Sequence, residues 1–406
     1  MSQVLQESLH RYTTGLDSAV STVVWEAAAR VPAFATRLAE AGIEPRAVVG
    51  VHDLDALPIV TKDDMIARQR SDPPFGGYLA HDVRPRRVFQ SPGPMYEPQL
   101  PGTDPWRWSE ALRSLGVRST DTVLNCFGYH LSPAGAMFEE GATTVGATVV
   151  PAGTGNLDLQ AGLVAELDIT AYTGLPSYLK ALCTRFTEAG HDPQCWGIRR
   201  ALVTAEPLPD SLRAELSAWV GEVRMAYGTA EAGLLGYETA PGSGLCLPGG
   251  VLVQVCDLSS GRPVTDATVG QVVVTLLRAD YPLVRFGTGD LSAWMEGPDG
   301  TPRLAGVLGR VGDAVKVRGM FLHPRQAHTA LADVPGLAGF QFVVERANHR
   351  DALRCLVTAG DGVDTDALTE DVRARIRTAL RFEATVELVS EIAANADPVC
   401  DRRDWS

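Results

Sequence analysis

Residues 281–324 read YPLVRFGTGDLSAWMEGPDGTPRLAGVLGRVGDAVKVRGMFLHP and contain two polar clusters that need a physical reason. Gly287-Thr288-Gly289-Asp290 places one carboxylate in a glycine-containing turn directly after an apolar run. Such a turn lets the backbone approach a ligand closely, while the carboxylate accepts hydrogen bonds of the kind a ribose diol offers. Gly309-Arg310 then opens a second segment, which ends at Lys316-Val317-Arg318-Gly319 and the break at Pro324. The stretch predicts a ligand-binding turn followed by a domain boundary.

The composition is that of an ordinary globular protein and excludes several function classes. A chain of 406 residues exceeds one hydrophobic core, so we expect two domains. The formal charge of −13 argues against unselective nucleic-acid binding, which needs a basic surface. The N-terminus lacks the pattern of a signal peptide, and no run is long and apolar enough to span a membrane. We therefore expect a cytoplasmic protein with reduced cysteines and no membrane partner.

No metal–thiolate site is predicted. None of the seven cysteines forms a C-x-x-C pair, and Cys246 and Cys256 stand ten apart with no histidine between them.

Strand-like and helix-like segments alternate from Asp121 to Ala226, which predicts βαβ units on a parallel sheet. From Gly250 to Phe286 the pattern becomes rich in β-branched strands, and after Gly309 a small α+β unit follows. We predict an α/β fold with a large N-terminal domain over 1–308 that includes a β-rich subdomain. A small C-terminal lobe over 309–406 follows, with a hinge near 309–313.

The stretch 281–324 resembles the joint between the two domains of adenylate-forming enzymes, and most closely that of phenylacetate-CoA ligases. Leu57-Pro58-Ile59-Val60-Thr61-Lys62-Asp63-Asp64 is similar to another segment of those ligases, and Thr61 with Asp64 also makes a plausible helix-capping box. The resemblance covers most of residues 50 to 345. It implies that Asp290 and Arg310 hold the ribose of AMP or ATP.

Two strand ends carry further motifs of the family. Ala205-Glu206-Pro207 resembles the turn that lines the adenine pocket, although an ordinary strand-to-helix turn explains it equally well. Tyr227-Gly228-Thr229-Ala230-Glu231 resembles the motif whose aromatic ring lies near the adenine and whose carboxylate holds Mg²⁺. The resemblance implies catalytic roles for Glu231, as the magnesium ligand, and for Thr229, whose hydroxyl partly compensates for Ala230 beside the α-phosphate.

Two segments resemble acyl-pocket segments of the same ligases. These are Phe127-Gly128-Tyr129-His130 and Thr173-Gly174-Leu175-Pro176-Ser177-Tyr178, so Tyr129, His130, Gly174 and Pro176 are candidate substrate contacts. The alternative for the aromatic side chains is core packing. His130 is as easily a core histidine as a substrate contact.

The expected glycine-rich phosphate loop is altered at residues 91–98, which read SPGPMYEP. A phosphate loop presents backbone N–H groups, hydroxyls and an ammonium to the triphosphate. Pro92 and Pro94 have no N–H to give. Tyr96 stands where a glycine is expected, and Glu97 reverses the charge at the lysine position. These changes predict weakened triphosphate binding.

The C-terminal lobe departs from the family in two further places. Gly312 stands where the family has a hinge aspartate, and the tail Ala396-Asp397-Pro398-Val399-Cys400-Asp401-Arg402-Arg403 lacks the lysine of the family's G-K-x-x-R segment. The departures fall on the polyphosphate side, whereas Glu206, Asp290 and Arg310 on the adenosine side remain.

Three hypotheses follow. The first is an acid–CoA ligase that forms an acyl adenylate from ATP, Mg²⁺ and a small carboxylic acid, with aromatic acids as one option, and then a thioester with CoA. The second is a related acyl transfer to CoA or another acceptor that binds AMP, CoA or a preformed activated acid without using ATP. The third is an inactive relative that binds a nucleotide.

Overall fold

The computed structural model of the protein describes residues 3–91, 94–258, 260–311, 315–318, 320–322, 324–347, 350–360, 362–393 and 396–403. The chain divides into two compact units, Met1–Gly309 and Arg310–Ser406. Both contain helices and sheets, so the α/β fold class is confirmed.

The N-terminal unit opens on helices that pack beside the β-rich part of the chain. They are α1 (Gln3–Thr14), α2 (Asp17–Arg30), α3 (Pro32–Glu40) and α4 (Lys62–Ser71). The predicted capping box is present: the Asp64 amide donates to the Thr61 hydroxyl at 3.2 Å, and the Thr61 amide donates to the Asp64 carboxylate at 2.8 Å. This cap makes Lys62 the first residue of α4.

A β-hairpin, β1 (Arg87–Ser91) and β2 (Met95–Gln99), occupies the region predicted as a phosphate loop. Phe89 lies opposite Glu97 in the antiparallel pair. The expectation of a loop through residue 98 is therefore wrong from Met95 onward, because these residues form a strand. Pro92 and Gly93, also part of the predicted loop, lie outside the described residues.

A nine-stranded sheet forms the centre of the N-terminal unit, in the order β13-β14-β9-β8-β7-β6-β5-β3-β4. The predicted βαβ alternation is confirmed, because β7, β6, β5, β3 and β4 are mutually parallel. The strands are β3 (Thr122–Asn125), β4 (Thr148–Val150), β5 (Ala171–Gly174), β6 (Arg200–Val203), β7 (Glu222–Thr229), β8 (Gly233–Glu238), β9 (Leu245–Cys246), β13 (Trp294–Glu296) and β14 (Pro302–Leu304). The helices of this part are α5 (Trp108–Ser114), α6 (Ala134–Val145), α7 (Leu157–Glu166), α8 (Pro176–Glu188) and α9 (Asp210–Val220).

The predicted β-rich segment is an antiparallel sheet of β10 (Val251–Cys256), β11 (Gly270–Leu276) and β12 (Phe286–Ser292). Every residue of β10 is buried, which fits its continuous apolar run. The short strand β15 (Gly309–Arg310) lies at the boundary between the units.

The C-terminal unit has its own hydrophobic core, built around Phe342, Leu353 and Val372. Its main sheet has the order β20-β19-β18-β21, and a separate hairpin pairs β16 with β17. The elements are β16 (Val315–Val317), β17 (Met320–Leu322), α10 (Pro324–Leu331), β18 (Leu337–Ala347), β19 (Arg350–Ala359), α11 (Thr365–Arg375), β20 (Thr385–Leu388) and β21 (Val399–Asp401). Over the described parts of the chain, no helix is both long and apolar enough to cross a membrane.

Candidate active site

The carboxyl ends of the parallel strands place most of the predicted site residues at one edge of the central sheet. Tyr129 and His130 follow β3, Gly174 ends β5, Glu206 follows β6, and Tyr227 lies in the last part of β7. Ligands of open α/β sheets bind at this edge. Lys62 and Asn125 also lie at the site, although the sequence analysis did not predict them as site residues. Glu97, which the sequence analysis placed at the lysine position of the phosphate loop, lies there as well.

Tyr227 and Asp290 join the two nucleotide motifs directly. The Tyr227 hydroxyl donates to the Asp290 carboxylate at 2.8 Å and lies 3.2 Å from the Thr288 hydroxyl. Both side chains are about 5% exposed, so the hydrogen bond is buried. Tyr227 comes from β7 of the central sheet and Asp290 from β12 of the antiparallel sheet. The two predicted adenosine-side motifs therefore meet where these sheets adjoin.

Gly228 is required by packing. A Cβ at this position would lie 2.6 Å from the Gly233 carbonyl oxygen and 2.7 Å from the Trp108 ring. The close approach of β7 to its neighbours explains this glycine without a ligand.

The turn of Ala205-Glu206-Pro207 follows β6, and Ala205 has a positive φ of 72°. The Glu206 carboxylate accepts from the Ser177 hydroxyl at 2.5 Å and from the Ser177 amide at 3.4 Å. Ser177 is in the first turn of α8, where a carboxylate is favoured by the unpaired amides and the helix dipole. Glu206 thus ties β6 to α8, and its role at an adenine ring stays a prediction.

Asn125, at the end of β3, organises the predicted acyl-pocket region. Its amide donates to the Tyr129 hydroxyl at 2.7 Å and to the Gly135 carbonyl at 2.8 Å, and its carbonyl accepts from the Thr173 hydroxyl at 3.1 Å. Burial raises the pKa of Tyr129 above its ordinary range, so the phenol is neutral. A polar residue ending a buried strand was the available sequence signal for Asn125.

The other acyl-pocket candidates divide between surface and core. His130 is exposed, so the core-histidine alternative is wrong. Gly174 and Pro176 are buried, and Pro176 begins α8. Phe127 stacks on Phe138 with ring centroids 4.4 Å apart, which bears out core packing for that aromatic.

Glu231, the predicted magnesium ligand, forms an ion pair with Lys62. Their charged atoms lie 2.6 Å apart, with the Glu231 side chain 6% exposed and that of Lys62 31% exposed. Burial alone would raise the pKa of Glu231, but the attraction of Lys62 outweighs it and leaves that pKa below the ordinary value. Thr229 accepts a hydrogen bond from the Ala232 amide at 3.1 Å.

Glu97 lies buried near this ion pair. It is 3% exposed, and both carboxylate oxygens are buried. Burial and the nearby Glu231 carboxylate raise the pKa of Glu97 to about 8, against the opposing effects of Lys62 and Ser91. Glu97 is therefore mostly neutral at pH 7, and the alternative that it points into solvent is wrong.

The backbone of Tyr96 is already occupied by a side chain of α4. The Tyr96 amide donates to the Gln69 side-chain oxygen at 2.7 Å, and the Gln69 side-chain nitrogen donates to the Tyr96 carbonyl at 2.8 Å. Gln69 is itself buried. This amide cannot serve a phosphate while the paired arrangement lasts, and weakened triphosphate binding stays a prediction.

The C-terminal tail, which lacks the lysine of the family's segment, is held in its unit by packing and ion pairs. Val399 of β21 is buried, and the Arg403 side chain forms ion pairs with Asp351 at 3.1 Å and Asp401 at 2.6 Å.

Arg310, a predicted ribose contact, is half-buried at the start of this unit, and Gly312 lies outside the described residues. The whole sequence holds three lysines: Lys62, Lys180 and Lys316.

The Glu231 carboxylate is not open to a magnesium ion in this structure, because it is paired with Lys62. The described side chains contain no group of three or more His, Cys, Asp or Glu residues arranged to hold a metal. The carboxylate that resemblance assigns to Mg²⁺ is engaged by an ammonium.

Comparison with family models and with curated proteins finds similarity to AMP-binding enzymes and to CoA ligases. Residues 107–275 match the family model of the AMP-binding enzymes. Phenylacetate-coenzyme A ligase of Thermus thermophilus is 29% identical over 344 residues, which cover 79% of this chain and 76% of that protein. Phenylacetate-coenzyme A ligase of Aromatoleum evansii is 25% identical over 403 residues, with 92% and 90% covered.

A solved structure shares the fold over nearly the whole length. This is a 2-hydroxyisobutyryl-CoA ligase crystallised with 2-HIB-AMP and CoA in the thioesterification state. Its TM-score is 0.87 at 23% identity, and the match covers 97% of this chain and 90% of that one.

Proposed function

We propose that this chain, which belongs to the adenylate-forming superfamily together with the phenylacetate-CoA ligases, passes a carboxylic acid through an acyl adenylate to a CoA thioester. Its similarity to curated acid–CoA ligases makes it a CoA-ligase-like, acid-activating enzyme. In the thioester step the CoA sulfur attacks the acyl carbon, the bond between that carbon and the phosphate oxygen breaks, AMP leaves and the thiol proton is released.

The observation that carries the proposal is the buried hydrogen bond between Tyr227 and Asp290. It fixes the direction of a carboxylate that, by resemblance, accepts hydrogen bonds from the ribose. An ionised acceptor makes stronger hydrogen bonds than a neutral one. The bond also fixes the aromatic ring that the resemblance places near the adenine. The adenosine side is thus preorganised before a nucleotide arrives.

The acid would lie near the side chains that Asn125 orients at the end of β3. Tyr129, half-buried and neutral, presents a phenol and an aromatic face in this region. These features favour an acid with an apolar or aromatic body and suit phenylacetate and its relatives as first probes. His130, exposed at the surface, is the weaker candidate for an acid contact.

Thioester formation from a synthetic acyl adenylate tests the proposal without requiring ATP. The purified chain is mixed with phenylacetyl adenylate and CoA, and phenylacetyl-CoA is followed by mass spectrometry against a no-enzyme control. We expect formation well above that control and a marked reduction in Asp290→Ala. Failure with a panel of aromatic and aliphatic acyl adenylates, despite measurable AMP binding, would leave nucleotide binding without this acyl transfer.

A second candidate is favoured by Glu97 and Tyr96: transfer from an acyl adenylate that the chain does not itself make from ATP. A buried carboxyl group at the loop lysine position and a backbone amide held by Gln69 both remove triphosphate contacts. Pyrophosphate exchange with a panel of acids separates the two candidates. Robust exchange in the unmodified protein establishes ATP-dependent activation, and thioester formation without exchange supports the second candidate.

A further inference from the structure

Two features hold Lys62 next to Glu231: the helix cap that starts α4 and the attraction between the two charged side chains. The Thr61–Asp64 capping box starts α4 at Lys62, so the backbone that carries the ammonium is fixed. The ion pair then brings its nitrogen to 2.6 Å from the Glu231 carboxylate. Of the other two lysines, Lys180 pairs with Glu215 and Lys316 belongs to the C-terminal unit. Lys62 is thus the one lysine that the described contacts place at this site.

The charges around Glu231 are already balanced. Lys62 and Glu231 contribute one positive and one negative charge, and the Glu97 carboxyl group lies buried nearby. The surrounding Tyr78 and Tyr281 side chains are buried as well. A divalent cation entering this cluster would meet the Lys62 ammonium and would have to displace it from Glu231, which opposes metal binding.

We propose that the Lys62 ammonium takes the place of a divalent cation at Glu231 and also contacts the phosphate of a bound adenylate, so that no metal ion is needed between the two anions. This inference rests on the proposed function only in assuming that the site binds an adenylate. The Lys62 ammonium carries three N–H donors and is partly exposed, so it can hold Glu231 and one phosphate oxygen at the same time. A triphosphate carries more charge than this site offers, which is why we assign the site to a nucleoside monophosphate or its acyl ester.

Calorimetry and Mn²⁺ electron paramagnetic resonance test the inference in the full chain. For the wild type, we expect the AMP dissociation constant to change less than twofold between EDTA and millimolar Mg²⁺. We also expect no stoichiometric Mn²⁺ signal loss at submillimolar metal. Lys62→Met should weaken AMP binding at least tenfold in EDTA and create a Mn²⁺ site, since Glu231 then lacks its cation. Lys62→Met combined with Glu231→Gln should lose that site again.

Matched controls separate charge at this site from a general effect of removing lysine. Lys180→Met removes an ammonium that is 28% exposed and paired with Glu215 at 2.8 Å, and it should leave AMP and Mn²⁺ binding unchanged. Lys62→Arg keeps the charge and should retain metal-independent AMP binding within a few fold. If Lys62→Met does not fold, the wild-type and Lys62→Arg measurements still decide the question.

The measurements separate a failure of this inference from a failure of the proposed function. Wild-type protein that binds one Mn²⁺ tightly through Glu231, or needs Mg²⁺ for a tenfold gain in AMP affinity, overturns the inference and leaves the proposed function standing. Absence of AMP binding in every buffer overturns the proposed function and, with it, the adenylate role of Lys62.

Discussion

Tyr227 donates its hydroxyl hydrogen to Asp290 across 2.8 Å, although the two residues lie 63 positions apart in different sheets. The bond holds the carboxylate of one nucleotide motif against the aromatic ring of the other. Because both groups are buried, a change in the direction of either side chain would break this hydrogen bond with little water available to replace it. The two residues predicted to form the adenosine side of the site are therefore held as a single unit.

Breaking this unit should weaken nucleotide binding. Asp290→Ala is expected to lower AMP affinity by about 1–3 kcal/mol, the worth of hydrogen bonds to a charged group. Tyr227→Phe should have a smaller effect, because it keeps the ring and the carboxylate. In the double variant the losses should not add, since the residues share one bond. Calorimetry measures all four proteins, and Asp266→Ala, an exposed loop residue, serves as the control. Strictly additive losses would contradict the coupling, and no binding of AMP at millimolar concentration would favour a structural role.

Glu97 should make stability fall as the pH rises. The carboxyl group keeps its proton in the folded chain up to a pKa of about 8, whereas the usual value is 4.5. The folded state thus binds more protons between these values, and its free energy of unfolding decreases by at most about 1.4 kcal/mol per pH unit in that window. Glu97→Gln stays neutral and should be more stable than the wild type at pH 8–9, by roughly 5 kcal/mol at most.

Urea unfolding of both proteins at pH 5, 7 and 9 measures this difference. At pH 5 the two should be close, because the wild-type carboxyl group is then protonated in the folded chain. Glu40→Gln, an exposed change of the same kind, controls for the loss of one carboxylate. A constant difference between Glu97→Gln and wild type across the pH range would show that titration of Glu97 is not its cause.

Glu97→Lys should raise ATP affinity relative to AMP, whereas the unmodified chain should bind ATP no more tightly than AMP. The substitution adds a positive charge at the loop lysine position, near Glu231. Salt should reduce the gain only weakly, because the side chain is buried and buried charges are screened little. Full adenylation should not appear, since Pro94, the held Tyr96 amide and the missing C-terminal lysine remain. Competition of ATP and AMP against a fluorescent adenosine analogue provides the measurement, with Glu97→Gln as the uncharged control.

The boundary between the two units should be the preferred site of proteolysis. Val307, Leu308 and Val311 are exposed apolar residues on either side of Gly309, and thermolysin cleaves before such residues. We expect early cleavage between residues 305 and 320 and two stable fragments, identified by mass spectrometry. Adding AMP with CoA to the digestion shows whether ligands protect the segment. Resistance there combined with ready cleavage elsewhere would argue against the hinge predicted near 309–313.

The sequence was sufficient for the parts of the fold that depend on local periodicity. The strands and helices between Asp121 and Ala226 follow apolar patterns of period two or near four, and the structure has them in the predicted order. The capping box at Thr61 could be predicted because all its partners lie within one turn. The adenosine-side residues could be proposed because their motifs are contiguous.

Contacts between distant segments could not be predicted in this way. Lys62 forms an ion pair with Glu231, and Gln69 forms hydrogen bonds with the backbone of Tyr96. Both contacts join segments that are far apart in the sequence, so no local pattern predicts them. Glu97 shows a subtler difficulty. Met95, Glu97 and Gln99 share one buried face of β2. In the sequence, Pro98 within this segment and Gly93 before it made the alternation typical of a strand hard to recognise.

The scarcity of lysine has a chemical consequence for the acyl transfer that we propose. An acyl adenylate is an electrophile, and an unprotonated amine is the nucleophile that most readily captures it to form a stable amide. With three lysines in 406 residues, of which Lys62 and Lys180 are ion-paired ammonium groups, the chain offers its own intermediate few amines to attack. Arginine, which provides the other positive charges, stays protonated and does not compete. The composition thus protects the chain from acylating itself.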